Sequence, residues 1–197
     1  MKAIPMKKQA PKAVAAKLRR LALLAQELRD GKRFEITRLT ALKSLCEDPT
    51  AAGQFALHLA ERAKSNAKKR YKPLIANALR QLKRQLANPR DQVPQSLWEA
   101  LRELEESQNE TRKHRWGRVR IIHCGEALLA EYGLRCVARR WESEHWGYRA
   151  ARQYAERYDP RYGTGLIPES ASAVEDIVGF WARYHFGRDA NKVLVTS

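Results

Sequence analysis

The stretch Pro73-Leu74-Ile75-Ala76-Asn77-Ala78-Leu79-Arg80-Gln81-Leu82-Lys83-Arg84-Gln85-Leu86 reads as a single amphipathic helix. Ile75, Leu79, Leu82 and Leu86 recur at steps of four, three and four, the period that gathers side chains on one helical stripe. Pro73 suits the first turn, where its missing N–H removes no intrahelical hydrogen bond. Arg80, Lys83 and Arg84 fall opposite the apolar stripe. Such a helix must bury one face against other helices and leave the other to water or to an anion. The first need sets the fold class, and the second raises the question of function.

Upstream, Val14, Leu18, Leu21, Ala25 and Leu28 predict a first helix that stops at Asp30-Gly31. Ile36, Leu39, Leu42 and Leu45 or Cys46 predict a second, followed by a turn and cap at Asp48-Pro49-Thr50. Ala52, Phe55 or Ala56, Leu59 and Ala63 mark a third. Short amphipathic helices with brief turns between them imply an all-α protein. The expected architecture is an antiparallel helical bundle or helical-hairpin array over residues 12–88, joined to a second helical unit. Residues 1–11 form a basic tail ahead of it. Ile36 to Leu86 hints at paired-helix repeats, but no consistent period supports them.

Downstream, Asn88 to Pro94 carries two prolines, so residues 89–94 are read as a linker. The second unit, 95–187, opens on a helix with Leu97, Leu101 and Leu104 inward and Glu99, Glu103, Glu105 and Glu106 outward. Residues 109–132 read ambiguously. Val119-Arg120-Ile121-Ile122 has strand character, whereas Glu126 to Glu131 favours helix, and helix is assigned throughout with a break at Gly133. Leu134 to Tyr158 then offers Val137, Trp141, Tyr148, Ala151, Tyr154 and Tyr158 for packing. A Pro/Gly-bearing loop over residues 159–170 precedes a last helix. That helix is expected to start at a Ser172/Glu175 capping box, bury Val174, Ile177, Val178, Trp181 and Tyr184, and end at Gly187. Residues 188–197 are read as a tail.

Charge divides the chain. Its 197 residues hold 38 Lys+Arg and 22 Asp+Glu, a net charge of +16. Residues 1–90 contain 22 basic and 6 acidic side chains, and residues 91–197 contain 16 of each, so the whole excess lies in the first part. Of the 16 aromatic residues, 13 follow residue 90, including all five Trp. This split predicts a polyanion-facing region joined to a packing or partner-binding region. Cys46, Cys124 and Cys136 are few, odd in number and without a CxxC pair, which fits a reducing, cytoplasmic setting. The apolar run Leu21 to Ala25 is too short for a signal peptide core or a membrane span. Met1 to Gln26 lacks acidic residues as transit peptides do, but a basic tail entering a basic helix is the preferred reading.

The densest basic cluster is Lys64, Lys68, Lys69, Arg70 and Lys72, extended by Arg80, Lys83 and Arg84, with Arg19 and Arg20 on the first helix. Cations on several solvent faces can neutralise phosphates and release counterions. The expected role is a non-enzymatic nucleic-acid-associated protein, DNA or RNA unresolved. The alternative is an adaptor or assembly factor that docks the same face on an acidic protein. Trp146 and Tyr162, near expected breaks, are candidates for a partner interface.

His123, Cys124, Cys136, Glu142 and His145 are the only group with the elements of a metal or catalytic site. A di-metal bundle needs a second Glu-x-x-His pair, zinc needs tighter Cys/His spacing, and a nucleophilic Cys needs an oriented base. Gly163-Thr164-Gly165 lacks the Lys-Ser/Thr of a phosphate-cradling loop and reads as a turn. No catalytic residue, metal, cofactor or small-molecule substrate is therefore expected. Zinc-finger ligands, the aromatic sheet motif of RNA-recognition domains and basic-zipper heptads are all missing from the chain.

Overall fold

The computed structural model describes residues 11–31, 36–63, 69–89, 92–107, 111–114, 117–120, 125–156 and 167–195. The described part is a helical bundle with one small β-ribbon. Its elements are α1 (Pro11–Arg29), a 3₁₀ segment (Ile36–Cys46), α2 (Pro49–Ala63), α3 (Lys72–Ala87), α4 (Gln95–Ser107), β1 (Thr111–His114), β2 (Gly117–Arg120), α5 (Gly125–Ala138), α6 (Ser143–Glu156), α7 (Ile167–Phe186) and α8 (Ala190–Val195).

Local chemistry sets several boundaries. Gly31 takes a left-handed φ of 81° just past α1, and its N–H donates to the Leu28 carbonyl, a glycine-terminated helix end. At α2 the Asp48 carboxylate accepts from the Thr50 N–H at 2.8 Å, satisfying a first-turn donor beside Pro49. Gly187, at φ 54°, ends α7 where the sequence predicts.

A continuous core joins helices from both sides of the 89–94 stretch. α1 lies on α7, α2 packs against α5 and α6, and α3 packs against α4 and α5. Leu18, Leu39, Leu42, Phe55, Leu59, Leu82, Leu104, Leu134, Ile177 and Trp181 are all fully buried. Each large apolar side chain so buried contributes about 1.5–3 kcal/mol of transfer free energy. Phe55 of α2 meets Phe180 and Trp181 of α7 at 5.2 and 5.1 Å between ring centroids, distances at which tilted aromatic pairs attract.

Several sequence expectations need correcting. Thr111–His114 and Gly117–Arg120 are not helical: β1 and β2 pair antiparallel, with Lys113 opposite Arg118 and Arg112 opposite Val119. Gly133 does not break a helix. It lies inside α5, where a Cβ would come within 2.7 Å of Leu82 and 3.4 Å of Ala56, so its bare backbone lets α5 approach α3 and α2. α7 begins at Ile167, five residues before Ser172 of the expected capping box. Glu175 instead pairs with Arg29 of α1. The expected tail, residues 188–197, contains α8, which packs on α1 and α7.

Candidate nucleic-acid interface

α3 is positioned from its first turn. Tyr71 is buried at the helix start, and the neighbouring Arg70 guanidinium lies over its ring at 4.7 Å and donates to its hydroxyl at 2.8 Å. Beyond it, Ile75, Ala78, Leu79, Leu82 and Gln85 face the core. Lys72, Ala76, Arg80, Lys83 and Arg84 are exposed, at the spacing that keeps them on one face. Burial of the apolar stripe therefore fixes which way the cations point.

Lys83 pairs with Glu61 of α2. Both side chains are substantially exposed, so this pair contributes little stability and leaves much of the cation's field available. Lys69, Lys72, Arg80 and Arg84 make no ion pair with the described residues. From Lys72 to Arg84 the stripe runs roughly 18 Å at 1.5 Å per residue, about five phosphate spacings of one duplex strand. At its far end Arg84 borders a cleft of about 350 Å³ lined also by Gln81, Asn88, Pro94 and Ser96. The Ser96 hydroxyl bridges that cleft by donating to Gln81 at 3.1 Å.

The other cationic candidates lie elsewhere. Arg19 and Arg20 sit on α1, whose main packing partners are α7 and α8 rather than those of α3. Arg19 donates its Nε to the Val193 carbonyl at 2.9 Å and so holds α8 in place. Arg20 is exposed. Lys64, Lys68 and Tyr162 lie outside the described residues. The structure thus brings Lys72, Arg80, Lys83 and Arg84 onto α3, with Lys69 and Arg70 in the short 3₁₀ turn Lys69–Tyr71 that leads into it, and separates Arg19 and Arg20 from them.

The aromatic candidate Trp146 is part of the scaffold between α5 and α6. Its Nε1 donates to Glu142 at 2.8 Å, its ring stacks on Tyr132 at 5.7 Å, and the Arg135 guanidinium covers it at 4.3 Å. The bond from Trp146 is the main reason the Glu142 carboxyl is held below its usual range. His145 is pushed down chiefly by burial, and Arg149 reinforces the shift. Trp141, grouped in the sequence with the packing aromatics, is 80% exposed. It falls in the short 3₁₀ turn Arg140–Glu142 between α5 and α6, where the helical phase is interrupted.

His123 and Cys124 lie outside the described residues. Cys46 and Cys136 are fully buried, and burial pushes both thiols well above the usual range, which suits inert core residues rather than nucleophiles. Among the described residues, no group of three or more His, Cys, Asp and Glu is placed to hold a metal. No described helix is long and apolar enough to cross a membrane.

Sequence reasoning missed the charge of the ribbon. Residues 111–120 contain Arg112, Lys113, Arg115, Arg118 and Arg120 and no acidic residue, a local charge of +5. Residues 91–110 hold six acidic residues against Arg102 alone, and this −5 cancels the ribbon in any count over the whole second half. A ten-residue charge window reveals it. No protein-family model, curated protein or solved structure matches the chain, so its own surface chemistry carries the functional reading.

Proposed function

We propose that the protein binds nucleic acid without catalysing a reaction, through phosphate contacts made by the exposed face of α3. The supporting observation is the placement of Lys72, Arg80, Lys83 and Arg84 on the one α3 face left to solvent, with Lys69 and Arg70 at its start. A run of cations on an anchored helix holds its charge at fixed spacing, which lowers the ordering cost of each phosphate contact. The exposed Glu99, Glu103 and Glu106 of the neighbouring α4 bound this surface by repelling phosphate. Buried free thiols at Cys46 and Cys136 suit a reducing compartment such as the cytoplasm.

Fluorescence anisotropy of the full chain with labelled oligonucleotides tests this reading. Log affinity should fall linearly with log salt, and the R80Q/K83Q/R84Q variant should reduce that slope by about 3. Salt-insensitive or absent binding to both DNA and RNA sinks the reading. A stoichiometric acidic protein retained after nuclease treatment favours the adaptor role instead.

A further inference from the structure

We infer that Trp141 is a base-stacking platform, and that the strand whose phosphates lie along α3 is unpaired and sets one of its bases on this indole. The inference rests on the phosphate-binding reading of α3 and adds to it the form of the ligand.

The first support is exposure without a packing role. Trp141 is the most exposed large apolar side chain among the described residues. Tryptophan is on average highly buried, because its indole removes so much apolar surface from water. The chain uses other tryptophans in that way: Trp181 is fully buried, and Trp146 packs against Tyr132 under the Arg135 guanidinium. Trp141 stacks on none of the described rings. Its aromatic face is left to solvent.

The second support is anchorage. Trp141 sits in the 3₁₀ turn Arg140–Glu142, which is fixed on both sides. Before it, the Arg139 N–H donates to the Arg135 carbonyl at 2.8 Å, and the Glu142 N–H donates back to the Arg139 carbonyl at 2.8 Å. After it, the buried Ser143 donates its hydroxyl to the Cys46 carbonyl at 2.9 Å. The Glu142 carboxyl is held low first by its bond from Trp146, and Arg139 and a bond from Trp141 add to the effect. The indole is thereby tethered at its polar edge, and the charge of Glu142 is answered within the turn. A side chain already ordered loses little further freedom when a base stacks on it.

The third support is position. Arg140 lines a small recess with Gln85, Leu86 and Pro89, and Gln85 also lines the cleft that Arg84 borders. The turn therefore adjoins the C-terminal end of α3, where the row Arg80, Lys83 and Arg84 finishes. Arg140 is exposed, makes no ion pair with the described residues, and precedes Trp141 directly. Charge differs between the two places. Around Trp141 the signs balance: Arg139 lies 3.8 Å from Glu142, and the exposed Glu144 offsets Arg140. A phosphate suits the cationic helix, and a neutral base suits the balanced turn. In a duplex the faces of internal bases are covered by their neighbours, whereas an unpaired base presents a face to an aromatic side chain. A cationic track beside an aromatic platform is the combination that holds single strands with little regard to sequence.

The test measures binding of the full chain, at fixed salt, to labelled single strands of DNA and of RNA about 20 nucleotides long. The matching DNA duplex and an abasic strand, which keeps the phosphates and lacks the bases, are the controls. W141A, W141F and R80Q/K83Q/R84Q are compared with wild type, and circular dichroism melts establish that each folds. Single strands should bind more tightly than the duplex. W141A should lose about tenfold on single strands, with little loss on the duplex or the abasic strand, and W141F, which keeps a ring, should retain most of the affinity. A loss on either the DNA or the RNA strand supports the inference, and the tighter of the two names the sugar. W141A that binds single strands as wild type does, while the α3 variant is weakened, overturns this inference and leaves the α3 reading standing. Equal losses on all ligands, a preference for duplex, or a W141A chain that no longer melts cooperatively overturns the stacking role. Wild type that binds no nucleic acid overturns both readings.

Discussion

α3 and α5 touch each other and are built on opposite terms. α5 has 12 of its 14 residues buried, and two of these are Glu126 and Glu131. α3 buries five of its 16 residues and turns its basic residues to solvent. Charge inside the bundle is matched at close range: Arg135 pairs with Glu131 on its own helix and with Glu105 of α4. Charge on α3 is largely left open. The same residue type is thus structural on one helix and available to a ligand on its neighbour, with burial as the difference. Substitutions on α5 should be read in stability, and substitutions on α3 in binding.

The largest effect is expected at Arg135. Glu131 is 1% exposed, and Arg135→Met removes the guanidinium that pairs with it, together with the link to Glu105 and the cover over Trp146. Breaking a buried pair from one side costs about 3–5 kcal/mol. Urea denaturation should show a loss in that range. A loss under about 1 kcal/mol would place the pair with ordinary surface ion pairs and erase the contrast with α3.

Next is Gly133→Val. The added side chain meets Leu82, itself fully buried, and Ala56 at the crossing of α5 with α3 and α2. Overpacking of this kind costs about 1–3 kcal/mol, partly offset by valine's better helix propensity. A variant as stable as wild type would mean the crossing can open without penalty.

Acid should act on the interior before it acts on the basic face. Burial lowers His58, His145 and His185 below their ordinary value of 6.5. A folded-state pKa below the unfolded one means that the unfolded chain binds the proton more tightly. These groups therefore favour the folded state above pH 6.5, and that stability is lost as pH falls through the folded values. His58 packs on Phe180 at 5.3 Å, next to the Phe55–Trp181 contact, so its protonation strikes the α2–α7 interface. Melting temperature should hold between about pH 7 and 8 and decline below about 6.5, with a shallower decline in His58→Gln.

The same contrast explains which parts of the molecule were legible in its sequence. Burial writes itself as periodicity, so Ile75, Leu79 and Leu82 appear where their spacing places them. The segment Ile36–Cys46 was expected to be an ordinary helix, yet Leu39, Leu42 and Leu45 recur every three residues, the repeat of the 3₁₀ form it adopts. The two strands offered almost no apolar pattern: Val119 is their one aliphatic residue, and the strong helical pattern after Glu126 was extended over them. Gly133 was read as a breaker because the requirement for close approach comes from Leu82 and Ala56, distant in the chain. The basic face of α3 was legible in full, since one helix carries both its apolar stripe and its cations.

The smallest expected effect bears most directly on function. R80Q/K83Q/R84Q removes three cations from α3 while leaving Ile75, Ala78, Leu79 and Leu82 untouched in the core. The one described ion pair it breaks, Lys83 with Glu61, is exposed at both ends, and exposed pairs contribute at most about 1 kcal/mol. Relief of repulsion among the remaining cations acts in the opposite sense. The two should nearly cancel, leaving the urea midpoint within about 0.5 kcal/mol of wild type. A clear gain in stability would be informative in its own right, since it would show that the native charge on α3 is held against a folding cost. A clear loss would make these cations structural, and any accompanying loss of nucleic-acid affinity could then no longer be assigned to phosphate contacts.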